Sequence, residues 1–102
     1  MTDWRALRTL HAALVSTSPT LGARVAFAAA VGRAEGARAG IAMLDAITDA
    51  AVQRFQPAWA TRAHLLAECG AVVDADAAFA RAISLTTDDA ARRHLERRRA
   101  TL

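Results

Sequence analysis

The chain has 102 residues, enough for one domain with an independent but modest core. Its 54% hydrophobic fraction rests on 28 alanines, with three Phe, two Trp and no Tyr, which excludes an all-β reading and makes the class all-α. All 13 basic residues are arginine, and the net charge of +3 comes from Arg92, Arg93, Arg97, Arg98 and Arg99: without these five the chain is slightly acidic, which excludes a domain-wide nucleic-acid footprint.

The first predicted helix, Thr2 to Ser16, has Thr2 as N-cap and Asp3 favouring the helix dipole. Trp4, Leu7, Leu10 and Leu14 recur at helical spacing as one apolar stripe, which stops at Thr17-Ser18-Pro19. The charges in MTDWRALRTL exclude a signal peptide, and no stretch approaches the roughly 18 apolar residues of a membrane span. The one cysteine, Cys69, has no internal partner and fits a reducing compartment, so the expected location is the cytoplasm.

A second helix, about Leu21 to Ala34, carries Leu21, Val25, Ala28, Ala29 and Gly32, with Gly36 as a left-handed C-cap. Gly32 and the run Ala28 to Ala30 permit a neighbouring backbone to come close. A third helix, about Ala37 to Ile47, presents Ile41, Leu44 and Ile47 or Thr48. From Thr48 to Gln56 periodicity is lost, and one extra helical turn packing Val52 and Phe55 is expected. Pro57 suits the first turn of a fourth helix, where its missing N–H costs nothing, and Gly70 ends that helix.

The stretch Trp59 to Ile83 carries the strongest pattern. Trp59, Ala63 and Leu66 share one helical face before Gly70, and Ala75, Phe79 and Ala82 share one face after it, so two helices fold back on each other at the glycine. The fifth helix runs from about Val72 to Leu85. Thr87, Asp88 and Asp89 start a sixth, with acid at its N-terminal end and arginine at its C-terminal end, as the macrodipole prefers.

Gly36 and Gly70 stand 34 residues apart, and in that frame Val25 falls on Trp59 and Ala29 on Ala63. A 34-residue helix-turn-helix unit is the tetratricopeptide repeat, with Trp59 in the tryptophan slot, Ala63 in the small-residue slot, Leu66 in the tyrosine slot, Ala75 in the alanine slot and Phe79 in the aromatic slot. Arg62 and Thr87 depart from the repeat's Leu and Pro. In the earlier unit Asp45 stands where an aromatic belongs, and a slip by one seats Leu44 there. The expected architecture is a single tetratricopeptide-like domain over residues 1–102, about three antiparallel hairpins built from six helices.

The segments DWRALRTLHAALVSTSP, GARAGIAMLDAI, RAHLLAECGAVVDADAAFARAISLT and ARRHLERRRATL together resemble, in order and over nearly the whole chain, the C-terminal helical domain of one group of extracytoplasmic-function-type bacterial RNA polymerase sigma factors. Three positions depart from that pattern: Leu21 replaces the second proline of the turn, Ala26-Phe27 replaces Asn-Arg, and His94 replaces an aromatic. The resemblance implies a partner among the sigma-factor regions or RNA polymerase and a role in transcription regulation. It does not supply the two sigma regions that contact promoter DNA, so the expectation is an excised domain or a stand-alone relative.

The chemistry-bearing residues form no catalytic pattern. His64 and Cys69 are five apart with His11 and His94 at opposite ends, which does not amount to the three closely spaced ligands a zinc site wants. The carboxylate pairs Asp74 with Asp76 and Asp88 with Asp89 stand at helix starts, where the dipole explains them. No phosphate loop, dinucleotide fingerprint or nucleophile elbow is present. The expectation is a non-enzymatic protein without cofactor or metal.

Two surfaces remain as candidates. In a tetratricopeptide stack the leading helices line a groove, which here takes Ala26, Ala30 and Arg33 from one hairpin and Ala60, His64, Ala67 and Glu68 from the next. That alanine-paved surface suits a hydrophobic peptide or helix of a protein partner better than a charged small molecule, with another helix of the chain or a second copy as its simplest occupant. The run Arg92, Arg93, Arg97, Arg98 and Arg99 is the candidate basic contact. It reads first as a solvated cap, with Leu95 and Leu102 facing inward, then as a nucleic-acid or acidic-protein contact.

Overall fold

In a computed structural model describing residues 2–102, the chain forms six α-helices and, among these residues, no strand. They are α1 (Trp4–Thr17), α2 (Leu21–Glu35), α3 (Ala37–Asp45), α4 (Gln56–Glu68), α5 (Val72–Leu85) and α6 (Asp89–Ala100), with a 3-10 turn at Ala50–Arg54 before α4. Each helix packs on its chain neighbours, and α2 also packs on α4. The Cα radius of gyration, 13.3 Å, is that of a compact chain of this length.

Local chemistry sets most boundaries. The first N-cap is Asp3 and not Thr2, because the Asp3 carboxylate reaches the Ala6 N–H at 3.1 Å. Thr20 caps α2 through the Ala23 N–H and Asp88 caps α6 through the Ala91 N–H. Pro57 sits in the first turn of α4 as its fixed φ favours. The 3-10 turn supplies the extra helical turn, and Val52 and Phe55 pack against the core as its sequence suggests.

The two turn glycines both take positive φ, +103° at Gly36 and +79° at Gly70. Gly36, at ψ 157°, lies in the extended positive-φ region open essentially to glycine alone, so it is not the left-handed C-cap its position suggests. It is also the only residue between α2 and α3, whereas Cys69 to Ala71 separate α4 from α5. The second hairpin therefore starts its returning helix one residue later. Gly40 and Leu44 correspond to Ala75 and Phe79, 35 residues on, and all four are buried. Asp45, in the 34-residue register, is exposed and pairs with Arg62 at 2.6 Å.

Two apolar clusters form the core. One gathers Val25, Ala28, Leu44, Ala58 and Leu65; the other gathers Ala63, Ala78, Phe79, Ala82 and Leu95. Helix α4 contributes to both, Ala58 and Leu65 on one side and Ala63 on the other, which makes it the central helix. Trp59 and Leu66 are half-buried against the second cluster.

The α1 stripe departs from expectation. Trp4, Leu10 and Leu14 are 40%, 54% and 46% exposed, and no residue of α1 is fully buried. The face turned to α2 is instead half-buried Leu7, Arg8, His11, Ala12 and Val15, one turn-step round from the leucine stripe. Arg8 holds this face through Glu35 at 3.0 Å and by lying 5.5 Å above the Phe27 ring.

Candidate functional site

The groove residues fall on α2 and α4, which pack directly on one another. Ala30 is buried, Ala26, Ala60, His64 and Ala67 are half-buried, and Arg33 and Glu68 are exposed. Arg33 and Glu68 meet across the two helices at 3.5 Å, so one end of each residue set is brought together.

Neighbouring helices flank both halves of this face. Trp4, Leu7 and His11 of α1 stand over Ala26, Ala30 and Arg33, leaving a cavity of about 280 Å³, with the Arg33 guanidinium 5.5 Å above the Trp4 ring. On α4, Ala60 and Ala67 pack against the cluster that contains Leu95 of α6. The exposed remainder is a strip of polar side chains along α2, α4 and α6 rather than an open alanine trough.

His64 stands at the middle of that strip. Its ring meets the buried Phe79 ring edge-on at 5.3 Å between centroids, and its other neighbour is His94 of α6 at 6.2 Å. Burial holds the imidazole below its ordinary pKa, and the charges of Arg98, His94 and Arg33 push the same way against the opposing Glu68. His64 and His94 thus stand together from α4 and α6, and on the same helix as His64 the Glu68 carboxylate is taken by Arg33 of α2. His94 was not among the groove residues read from the sequence; its spacing of four from Arg98 on one helix is the signal that pairs them.

The arginine run of α6 divides by role. Arg92 bonds Asp89 at 3.0 Å and donates to the Thr86 carbonyl at 2.6 Å, closing the α5–α6 turn. Arg99 makes two hydrogen bonds to Asp76 of α5, at 2.7 and 3.3 Å, which lowers the Asp76 pKa from its ordinary value and raises that of Arg99. Arg93, Arg97 and Arg98 make no ion pair among the described residues. The cap is therefore solvated only in part. Leu95 is buried as expected, but Leu102 is exposed.

No protein-family model matches the chain, and no curated protein or solved structure matches it.

Elsewhere the surface carries open hollows, among them one of about 420 Å³ beside Trp59, Arg62, Leu66 and Arg81 and one of about 400 Å³ beside Trp4, Arg5 and Arg33. A cavity of about 250 Å³ between α3, the 3-10 turn and α4 is walled by Trp59, Gln53, Asp45 and Arg62, below the roughly 300–1,000 Å³ of ordinary ligand sites. Its polar groups are engaged: the Trp59 Nε1–H donates to the Gln53 carbonyl at 3.0 Å, Arg81 donates to the same oxygen at 3.0 Å, and Arg62 pairs with Asp45. Cys69 is half-buried and its thiol donates to the Leu66 carbonyl at 3.4 Å. Among the described residues no three His, Cys, Asp or Glu side chains gather as a metal site, and no helix is long and apolar enough to cross a membrane.

Proposed function

We propose that this chain is a non-enzymatic, tetratricopeptide-like interaction domain, related to the C-terminal domain of extracytoplasmic-function-type sigma factors and acting through protein contacts in cytoplasmic transcription regulation. The observation that carries the scaffold reading is the packing of α2 on α4, the leading helices of the α2–α3 and α4–α5 hairpins, with α3 packed on both. Two hairpins closed by positive-φ glycines 34 residues apart, stacked leading helix on leading helix, are what a helical repeat needs to bury its apolar faces. The transcription half rests on the sequence resemblance alone.

The partner surface in this reading is the α2, α4 and α6 strip, where Arg33 pairs with Glu68 and His64 stands beside His94. The competing use of α6, nucleic-acid binding, keeps only Arg93, Arg97 and Arg98, because Arg92 and Arg99 are committed to Asp89 and Asp76. Three phosphate contacts give a log–log salt slope of about −3 at most.

Affinity capture with the purified chain tests the proposal. Recovery of a sigma-factor segment or of RNA polymerase supports it, and loss of that capture in Arg33→Glu places the contact on the strip. Capture of neither, from cells that express both, removes the transcription half. DNA binding that disappears in an Arg93, Arg97 and Arg98 triple alanine variant establishes the competing use instead.

A further inference from the structure

We infer that α1 is a releasable strap: it detaches as one unit at Ser18 and Pro19 while α2 to α6 stay folded, and its release bares the Ala26, Ala29 and Ala30 face of α2 that it covers when closed. This goes beyond the interaction reading and holds whether or not that reading does.

The apolar core does not include α1. Neither cluster takes a residue from it, either buried or packed against the cluster's edge, and none of its side chains is fully buried. Its packing is on α2, and that contact is undercut at both ends. Toward the N-terminal end Trp4, Leu7 and His11 bridge the cavity of about 280 Å³ over Ala26, Ala29 and Ala30. Toward the C-terminal end Val15 faces Phe27, Met43 and Ile47 across a hollow of about 210 Å³. Side chains that line a void lack partner atoms on that side, so these ends hold α1 less firmly than close packing holds α4 and α5.

The polar fasteners of α1 are exposed. Among the described residues its one tertiary hydrogen bond is Arg8 to Glu35, between side chains 37% and 48% exposed. Two cation–π contacts add to it, Arg8 on Phe27 and Arg33 on Trp4. Ion pairs and cation–π contacts open to water each stabilise only weakly. The joint to α2 is independent of both helices' packing: Pro19 disfavours helix at Ser18, and Thr20 caps α2 through the Ala23 N–H, so α2 keeps its start when α1 leaves. A 14-residue helix is marginal in water by itself, which couples release to unwinding and makes the opening a single event.

Native-state amide exchange followed by NMR on the full chain tests the inference. The amides from His11 to Thr17 are expected to share one opening, about a hundredfold or more frequent than the one that exposes the Leu65 and Phe79 amides of α4 and α5. Arg8→Ala should raise exchange throughout α1 about three- to tenfold and leave Leu65 and Phe79 within about twofold. Arg5→Ala, which removes an arginine of the same helix that makes no ion pair among the described residues, should leave α1 within about twofold. Ala30→Cys combined with Cys69→Ser reports the bared face, since its alkylation should proceed through the α1 opening and accelerate when Arg8→Ala is added.

Protection of α1 equal to that of Leu65 and Phe79 overturns the inference. Exchange graded inward from Trp4 with no shared opening is fraying and overturns it as well. Arg8→Ala accelerating all six helices alike makes the chain one cooperative unit with no strap. Alkylation of Ala30→Cys that ignores Arg8→Ala overturns the baring of α2.

Discussion

Gly32 of α2 and Gly40 of α3 face each other so closely that a β-carbon on Gly40 would lie 2.9 Å from the Gly32 Cα. The same atom would lie 2.9 Å from the Ala28 carbonyl oxygen and from Leu65 Cδ1. The two glycines set the spacing of the first hairpin and let Leu65 of α4 close over it.

Gly40→Ala and Gly32→Ala therefore differ in cost. At Gly40 the obstacles include backbone, which cannot rotate away, and overpacking of this kind costs about 1–3 kcal/mol, outweighing the helix-propensity gain of up to ~1 kcal/mol. At Gly32 the near obstacle is Leu65 Cδ2 at 2.6 Å, the far end of a flexible side chain. Chemical denaturation should show Gly40→Ala clearly destabilised and Gly32→Ala within about 1 kcal/mol of the parent. Equal losses would mean that the hairpins do not approach through Gly40.

Phe79 is fully buried among Ala63, Ala78, Ala82 and Leu95 and is the largest completely enclosed side chain. Phe79→Ala is expected to lose about 3–5 kcal/mol. A loss below about 1 kcal/mol places the ring at a surface position. The same variant removes the ring that braces His64, so a chain that stays folded should show altered His64 ring resonances.

The lowered pKa of His64 makes stability depend on pH with a definite sign. The unfolded chain binds the proton more readily than the folded one, so the contribution is complete above the ordinary histidine value and is lost as pH falls through the folded value. Denaturation midpoints should fall from pH 8 toward pH 5.5, and His64→Phe should flatten part of that slope. Ring-proton NMR should place the His64 titration below the ordinary histidine value.

Asp76 and Arg99 supply an acid-side test. Through Arg99 the Asp76 carboxyl titrates below its ordinary value, so its contribution is present at neutral pH and is lost as pH falls through the folded value. Carbon-detected NMR titration should find the Asp76 transition shifted upward in Arg99→Gln and unchanged in Arg97→Gln. An unchanged Asp76 in both variants would mean that the bidentate contact does not form in solution.

Much of the helical layout was legible in the sequence because it is locally encoded. Pro57 at a helix start, glycines at positions 36 and 70, and apolar residues at three- and four-residue spacing act within a turn or two of themselves. The burial of Ala75, Phe79 and Ala82 followed from that spacing, and so did the one-residue slip that seats Leu44 in the core. At the candidate site, position on α2 and α4 was readable, since a leading-helix face is a matter of period.

Tertiary contacts decided the rest. Spacing shows that the leucines of α1 share a stripe, yet the helix turned Leu7, His11 and Val15 to α2, where Arg8 also meets Glu35 and Phe27, and left Leu10 and Leu14 to solvent. A helix packed on two sides has no single stripe to read, which is why Leu65 escaped a pattern built on Trp59, Ala63 and Leu66. The arginine run looked uniform until Asp76 and Asp89 came within reach and divided it. Local sequence thus determined where the helices begin, end and turn, since caps, glycine dihedrals and periodicity are short-range. Which charges are spent on a neighbouring helix was decided only when the helices packed, as Arg33 on Glu68 and Arg99 on Asp76, because a charge's partner is set by distance in space.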